Sequence, residues 1–337
     1  MSDKNLSVTS SSSVALMQTR QLLGVTEQIL NHSHDVRVIN KPWVDELIAW
    51  ADEHNIPDYF FDEKKQRWGG FPRDKESILK LSALYFGCKQ LTNLPEAIGN
   101  LHNLIELNLR FNQLPSLPES ISNLEKLRIL NIKFNRLIAL PKSISTLHRL
   151  TELDLSDNRL TYLPQFIDSL SQLRKLNLWN NQITLLPDTL VKLHNLRELY
   201  LWKNKLIKLP EGIGELINLE KLYLKDNYLT HLPESIGQLT KLRVLYAGEN
   251  NLTVIPEFLA QLKCLTRLGL DSNRLTEIPE FIGELENLTF LSFKNNQISK
   301  LPKSLAHSRC LETLDLRDNP IKELHPEFSH LNDIVLF

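Results

Sequence analysis

Little in this chain points to reaction chemistry. Its 337 residues include three cysteines, Cys88, Cys264 and Cys310. So sparse and odd a set supplies neither a disulfide framework nor a zinc site. Reduced structural cysteines, buried as small hydrophobes in a reducing compartment, are expected. An excess of charge is missing too, with 39 Lys and Arg against 40 Asp and Glu. That balance argues against wholesale binding to nucleic acid or a membrane surface. No apolar run approaches the roughly 18 residues of a membrane span. The opening stretch, MSDKNLSVTSSSSVALMQ, lacks the continuous apolar segment of a cleavable export signal. There is no GxGxxG, no P-loop, no nucleophile elbow, no HExxH and no CxxC. No enzyme, cofactor or metal is expected, and the cytoplasm is the expected compartment.

What the sequence does contain is a repeat. Leu104–Lys126 reads LIELNLRFNQLPSLPESISNLEK, and Leu219–Lys241 reads LEKLYLKDNYLTHLPESIGQLTK. The shared pattern is LxxLxLxxNxLxxLPxxIxxLxx, with a period of 23 residues. Eleven copies begin at Leu81, Leu104, Leu127, Leu150, Leu173, Leu196, Leu219, Leu242, Leu265, Leu288 and Leu311, with no insertion or deletion. Numbering slots from the first leucine, slots 4 and 6 share one face of a short strand. Slot 9 is asparagine from Asn112 to Asn319, and Lys89 departs only in the first copy. A buried amide there can satisfy backbone groups of neighbouring coils. The prolines of the second half, Pro95 to Pro302, fix φ and forbid strand pairing.

The chain resembles the leucine-rich repeat family, in its Leu-Pro subclass, over Leu81 to about Asp333. The resemblance implies an α/β solenoid. A curved parallel sheet would line the concave face, with short helical or 3-10 turns on the convex face. The expected organisation is a tail over 1–40, disordered or marginally helical, and an N-terminal cap over 41–80. Eleven repeats follow over 81–333, and then an end at 334–337. In the cap, PWVDELIAWADEHN predicts a helix that shields the open core edge, and Asp58–Lys80 predicts a degenerate coil. Trp43, Trp50 and Trp68 are expected in that core. His32 and His34 make a poor metal site in such a tail.

Slots 2, 3, 5, 7, 8 and 10 are variable and lie on or beside the solvent side of the strands. Slot 5 carries Tyr200, Tyr223 and Tyr246, and slot 7 carries Trp179 and Trp202. These five aromatics occupy four consecutive repeats and form one predicted patch. Clustered exposed aromatics mark interfaces, and Trp, Tyr and Arg dominate binding hot spots. Lys203, Lys225 and Arg243 surround the patch, and Phe111 and Phe134 in slot 8 extend it toward the N-terminal half. Over the six variable slots, 17 basic residues face 12 acidic ones, which favours an acidic partner surface.

The expected function is therefore non-enzymatic recognition of a protein partner on the concave face, by a monomer. The subclass resembles both signalling scaffolds of small-GTPase pathways and bacterial secreted effectors. The serine-rich stretch SVTSSSS of the tail makes an uncleaved signal for a specialised bacterial secretion apparatus the alternative to the cytoplasm. Some such effectors carry a ubiquitin-ligase domain with a catalytic cysteine. Cys88 and Cys310 sit within or at the edge of repeats, so that activity does not carry over. Two further alternatives are an activator of a nucleotide hydrolase, through Arg110 or Arg317, and a glycan or peptide reader.

Overall fold

The computed structural model describes residues 41–63, 67–321, 325–331 and 333–336. The expected tail, with His32 and His34, lies outside the described residues. The repeats belong to one body, Trp43–Phe337.

Twelve strands form one sheet in which each pairs in parallel with the next along the chain. Eleven of them are slots 3–5 of the eleven repeats, from Ala83–Tyr85 to Thr313–Asp315. The register advances by one repeat per strand: Leu84 faces Leu107, and Leu199 faces Leu222. Backbone bonds carry the ladder past the strands, as in Leu201 N–H to Tyr223 O at 2.8 Å and Lys203 N–H to Lys225 O at 3.0 Å. The leucines of slots 4 and 6 are fully buried throughout the middle of the array. Each is worth about 1.5–3 kcal/mol against exposure.

Slot 8 then turns the chain. In all eleven repeats it has a positive φ, between 49° and 62°, and in none is it glycine. This left-handed residue sends the next side chain, the slot-9 asparagine, into the coil. Asn204 Nδ2 donates to Leu178 O, Leu201 O and Trp202 O at 2.9, 3.1 and 3.2 Å. Its Oδ1 accepts from Ile183 N–H at 3.1 Å. The same amide bonds recur from Asn112 to Asn319, so every turn is tied to the coil before it. Beyond the turn, a proline with φ near −70° precedes a 3-10 helix in most repeats, as at Pro187 before Asp188–Lys192.

The ends differ from the repeats. Helix Pro42–Glu53 buries Val44, Leu47, Trp50 and Ala51 in the same core as the leucines, with Trp43 packed beside them. Asp58–Lys80, expected as a degenerate coil, adds no strand to the large sheet among the described residues. It forms an antiparallel hairpin, Phe60–Asp62 with Arg67–Gly69, and the helix Lys75–Lys80. The reason lies in slot 6, where a coil in register would bury Glu63. An isolated carboxylate among leucines is strongly unfavourable, and Glu63 is exposed. The side chain of Trp68 lies outside the described residues. At the other end, Val335–Leu336 adds a twelfth strand, pairing with Leu314 and Asp315.

The expected burial of the cysteines needs correcting, because all three thiols, free as expected, are exposed. Cys88 occupies the left-handed slot 8, with φ 62°. Cys264 and Cys310 occupy slot 23, ahead of the first leucine. None of these positions faces the leucine core.

Candidate partner-binding surface

Strand alternation places slots 3, 5 and 7 opposite the leucines, and the register aligns them across repeats. Tyr200 pairs with Tyr223, and Tyr223 with Tyr246. The first two rings stack at 4.7 Å with planes 9° apart. The next pair is tilted, at 5.6 Å. Trp202 meets Tyr223 edge-on at 5.1 Å. Each such contact contributes about 0.5–1.5 kcal/mol beyond burial. All of these rings are half-buried. They pack on one another and still present a face to solvent.

The column ends on a glycine for a steric reason. A Cβ on Gly269 would lie 2.3 Å from the Tyr246 ring. Without one, Tyr246 leans across that repeat to meet Phe290 edge-on at 6.0 Å. Arg267 closes this end: its guanidinium lies 4.5 Å over Phe290, and its Nε donates to the Tyr246 hydroxyl at 2.7 Å. Phe290 and Arg267 belong to slot 3 and were not among the expected site residues. Reading slot 3 beside slots 5 and 7 would have found them.

Trp179 departs from the expected cluster. Among the described residues it makes no ring contact with the other four. Its ring instead receives the Lys133 ammonium at 4.7 Å. Ser156, the slot-7 residue between them, is small and buried, so Lys133 can span two repeats. The same ammonium lies 4.9 Å from the Phe134 ring and 3.7 Å from Asp157 Oδ2. Phe134 stacks on Phe111 at 4.5 Å and 15°. Lys133 thus joins the phenylalanine pair to Trp179. The indole N–H groups of Trp179 and Trp202 are shielded from solvent and have no acceptor among the described residues.

The charges around the strip fall into two groups. Lys221 Nζ bonds Glu198 at 2.7 Å, and Tyr200 Oη donates to the same carboxylate at 2.8 Å. Lys225 spans the bare position of Gly248 to reach Asp271 at 3.2 Å and also pairs with Glu249 at 3.0 Å. Its charge is therefore already engaged. Arg110, Lys203, Arg243 and Arg267 form no ion pair among the described residues. Arg317, considered for hydrolase activation, is tied in a fork to Asp315 at 2.9 and 2.6 Å.

Burial raises the pKa of Tyr200 well above the ordinary tyrosine value, and the adjacent Glu198 carboxylate adds to it. Tyr223 is also raised, with burial the main cause. A raised folded-state pKa gives stability that is full below the unfolded value and lost as pH rises through the folded one. The fold should therefore weaken above about pH 10. Phenolate absorbance should report Tyr200 and Tyr223 ionising above the ordinary tyrosine range. Ionisation of both within that range would contradict the shift.

A model described as a leucine-rich repeat region matches residues 73–180 and 187–292. The chain belongs to the leucine-rich repeat family. Models of two copies and of one copy of the repeat match 286–331 and 172–193. The comparison with curated proteins found no match. Among solved structures, a leucine-rich repeat protein of Leptospira interrogans is 38% identical, with a TM-score of 0.74 over 78% of this chain and 67% of that one. The plant peptide hormone receptor RGFR1, solved with RGF2, is 30% identical, with a TM-score of 0.60 over 74% and 45%. The Arabidopsis receptor kinase HAESA, solved with the peptide hormone IDA and the co-receptor SERK1, is 29% identical, with a TM-score of 0.59 over 71% and 46%. The chain thus spans about two thirds of the Leptospira protein and under half of these two receptors. This family and fold are typically non-enzymatic recognition scaffolds. Among the described residues, no helix is long and apolar enough to cross a membrane.

Proposed function

We propose that this chain is a non-enzymatic recognition module that binds a protein partner on the aromatic face of its sheet, the face the family places on the concave side. The observation that carries this reading is the continuous ring strip Trp202–Tyr223–Tyr246–Phe290, with Tyr200 stacked behind it. Rigid strands hold these rings in place before binding, which limits the entropy lost on docking. The cations left without carboxylates, Lys203, Arg243 and Arg267, favour an acidic partner surface. Likeness to receptors solved with peptide hormones supports a polypeptide ligand over a glycan. Likeness to the Leptospira protein supports a bacterial setting, and the proposed role there is that of an effector or a signalling scaffold.

The test is affinity capture with the full chain, comparing wild type with the Trp202→Ala/Tyr223→Ala variant. A protein recovered by the first and absent from the second supports the reading. An identical capture profile from both, with both folded, overturns it.

A further inference from the structure

Charge at the start of the strands is uncompensated at one end of the ring strip. In the second to seventh repeats, slots 2 and 3 hold five cations and four carboxylates. Three of those cations, Lys175, Arg197 and Lys221, meet Glu198 or Glu220 at 3.9, 3.2 and 2.7 Å. In the eighth to tenth repeats the same slots hold two cations, Arg243 and Arg267, and no carboxylate. The two arginines are neighbours, since Arg267 N–H donates to Arg243 O at 3.0 Å. Both side chains are exposed. Carboxylates of the adjoining coils are engaged elsewhere: Glu220 by Arg197, Asp271 by Lys225 and Asp315 by Arg317. Glu312, the next carboxylate in slot 2, lies two repeats beyond Arg267.

Two contacts fix the Arg267 guanidinium. Its Nε donates to the Tyr246 hydroxyl at 2.7 Å, and its central carbon lies 4.5 Å over the Phe290 ring. Arginine carries five N–H donors in one plane. With Nε engaged, the donors of the two terminal nitrogens remain, and among the described residues they have no acceptor. A carboxylate accepts two such bonds in parallel. Because Tyr246 and Phe290 already order the side chain, little further freedom is lost when it binds. Lys203, by contrast, offers a point charge on a flexible stem and no fork.

We propose that Arg267 is a specificity-determining residue of the sheet face, which reads one acidic side chain of a polypeptide partner. Tyr246 is its positioning residue. Residues beside that acidic side chain pack on the rings of Phe290, Tyr246 and Tyr223. The proposal rests on the sheet-face reading and adds to it the group that is recognised and the place where it binds. A general preference for acidic surfaces fixes no such place.

The test is selection of random peptides by the full chain. The peptides are fused to a carrier through their C-terminal ends, so only side-chain carboxylates are offered. Wild type should enrich peptides with Asp or Glu at one fixed distance from an aromatic or aliphatic residue. Arg267→Glu should exchange that acidic residue for Lys or Arg and keep the apolar one. For a peptide selected by wild type, replacing its acidic residue by the amide should weaken binding roughly tenfold or more. Arg267→Lys should weaken binding of the acidic peptide by a similar factor. The two changes together should fall within about threefold of either alone. Tyr246→Phe keeps the ring and releases Nε, so it should reduce the preference for acid over amide, whereas Lys203→Ala should leave it unchanged. A Tyr246→Phe variant that weakens both peptides alike would overturn the positioning role.

A wild type that enriches no acidic peptide overturns the proposal. So does an Arg267→Glu variant that selects the same acidic peptides as wild type. In that second case the sheet-face reading still stands if Trp202→Ala/Tyr223→Ala recovers none of them. Peptides bound equally by wild type and that double variant overturn the sheet-face reading and the proposal together.

Discussion

Asn204→Ala should lower the stability of the chain by about 3–5 kcal/mol, the largest effect expected of any single truncation outside the leucines. The side chain makes four hydrogen bonds to backbone groups of its own coil and the one before. Alanine leaves those largely buried backbone groups without the amide that pairs them. An unsatisfied buried group costs about 1–3 kcal/mol, and relaxation recovers part of the total. Because each repeat is stabilised by its neighbours, damage to the sixth repeat uncouples two halves of the array. Chemical denaturation should show either a lower midpoint or a split transition. Asn195→Ala is the control. It removes one exposed bond, to Ser171 O at 2.9 Å, and should change stability by at most about 0.5 kcal/mol. Equal losses from the two variants would show that the turn amides are not what holds adjacent coils together.

The second large effect concerns binding. Trp202→Ala and Tyr223→Ala should each weaken capture of the partner by about 2 kcal/mol, roughly 30-fold. Together they should reduce it by a hundredfold or more, to below detection in a pull-down. The two losses should not add, since Trp202 touches Tyr223 edge-on at 5.1 Å and removal of either loosens the other. Stability should fall by only about 1–3 kcal/mol, because neither ring belongs to the leucine core. Titration of the captured protein against both single variants and the double variant measures the coupling. A double variant that binds within threefold of wild type would leave the strip with no role in recognition.

Much of this architecture is legible because the period is strict. A repeat of 23 residues with no slip fixes which leucines face the core, which asparagines fill the turns and which tyrosines share a column. The direction in which a long side chain leans is harder to read, because it depends on what the neighbouring repeat lacks. Tyr246 leans toward Phe290 because Gly269 has no Cβ. Lys225 reaches Asp271 past Gly248, and Lys133 reaches Trp179 past Ser156. A column-by-column reading treats each slot separately and so misses contacts that skip a repeat or cross between slots 3 and 5. The ends are hard for a different reason. A coil without the right slot-6 residue has no pattern to follow, and the hairpin at Phe60–Gly69 is built from local pairing.

Oxidative footprinting of the full chain, with and without its captured partner, decides whether the sheet face is the binding surface. Tyr200, Trp202, Tyr223 and Tyr246 should lose reactivity together on binding, while Tyr162, exposed in slot 13 beyond the turn, should not. Unchanged reactivity at those four rings, with protection confined to another surface, would contradict recognition by the aromatic strip.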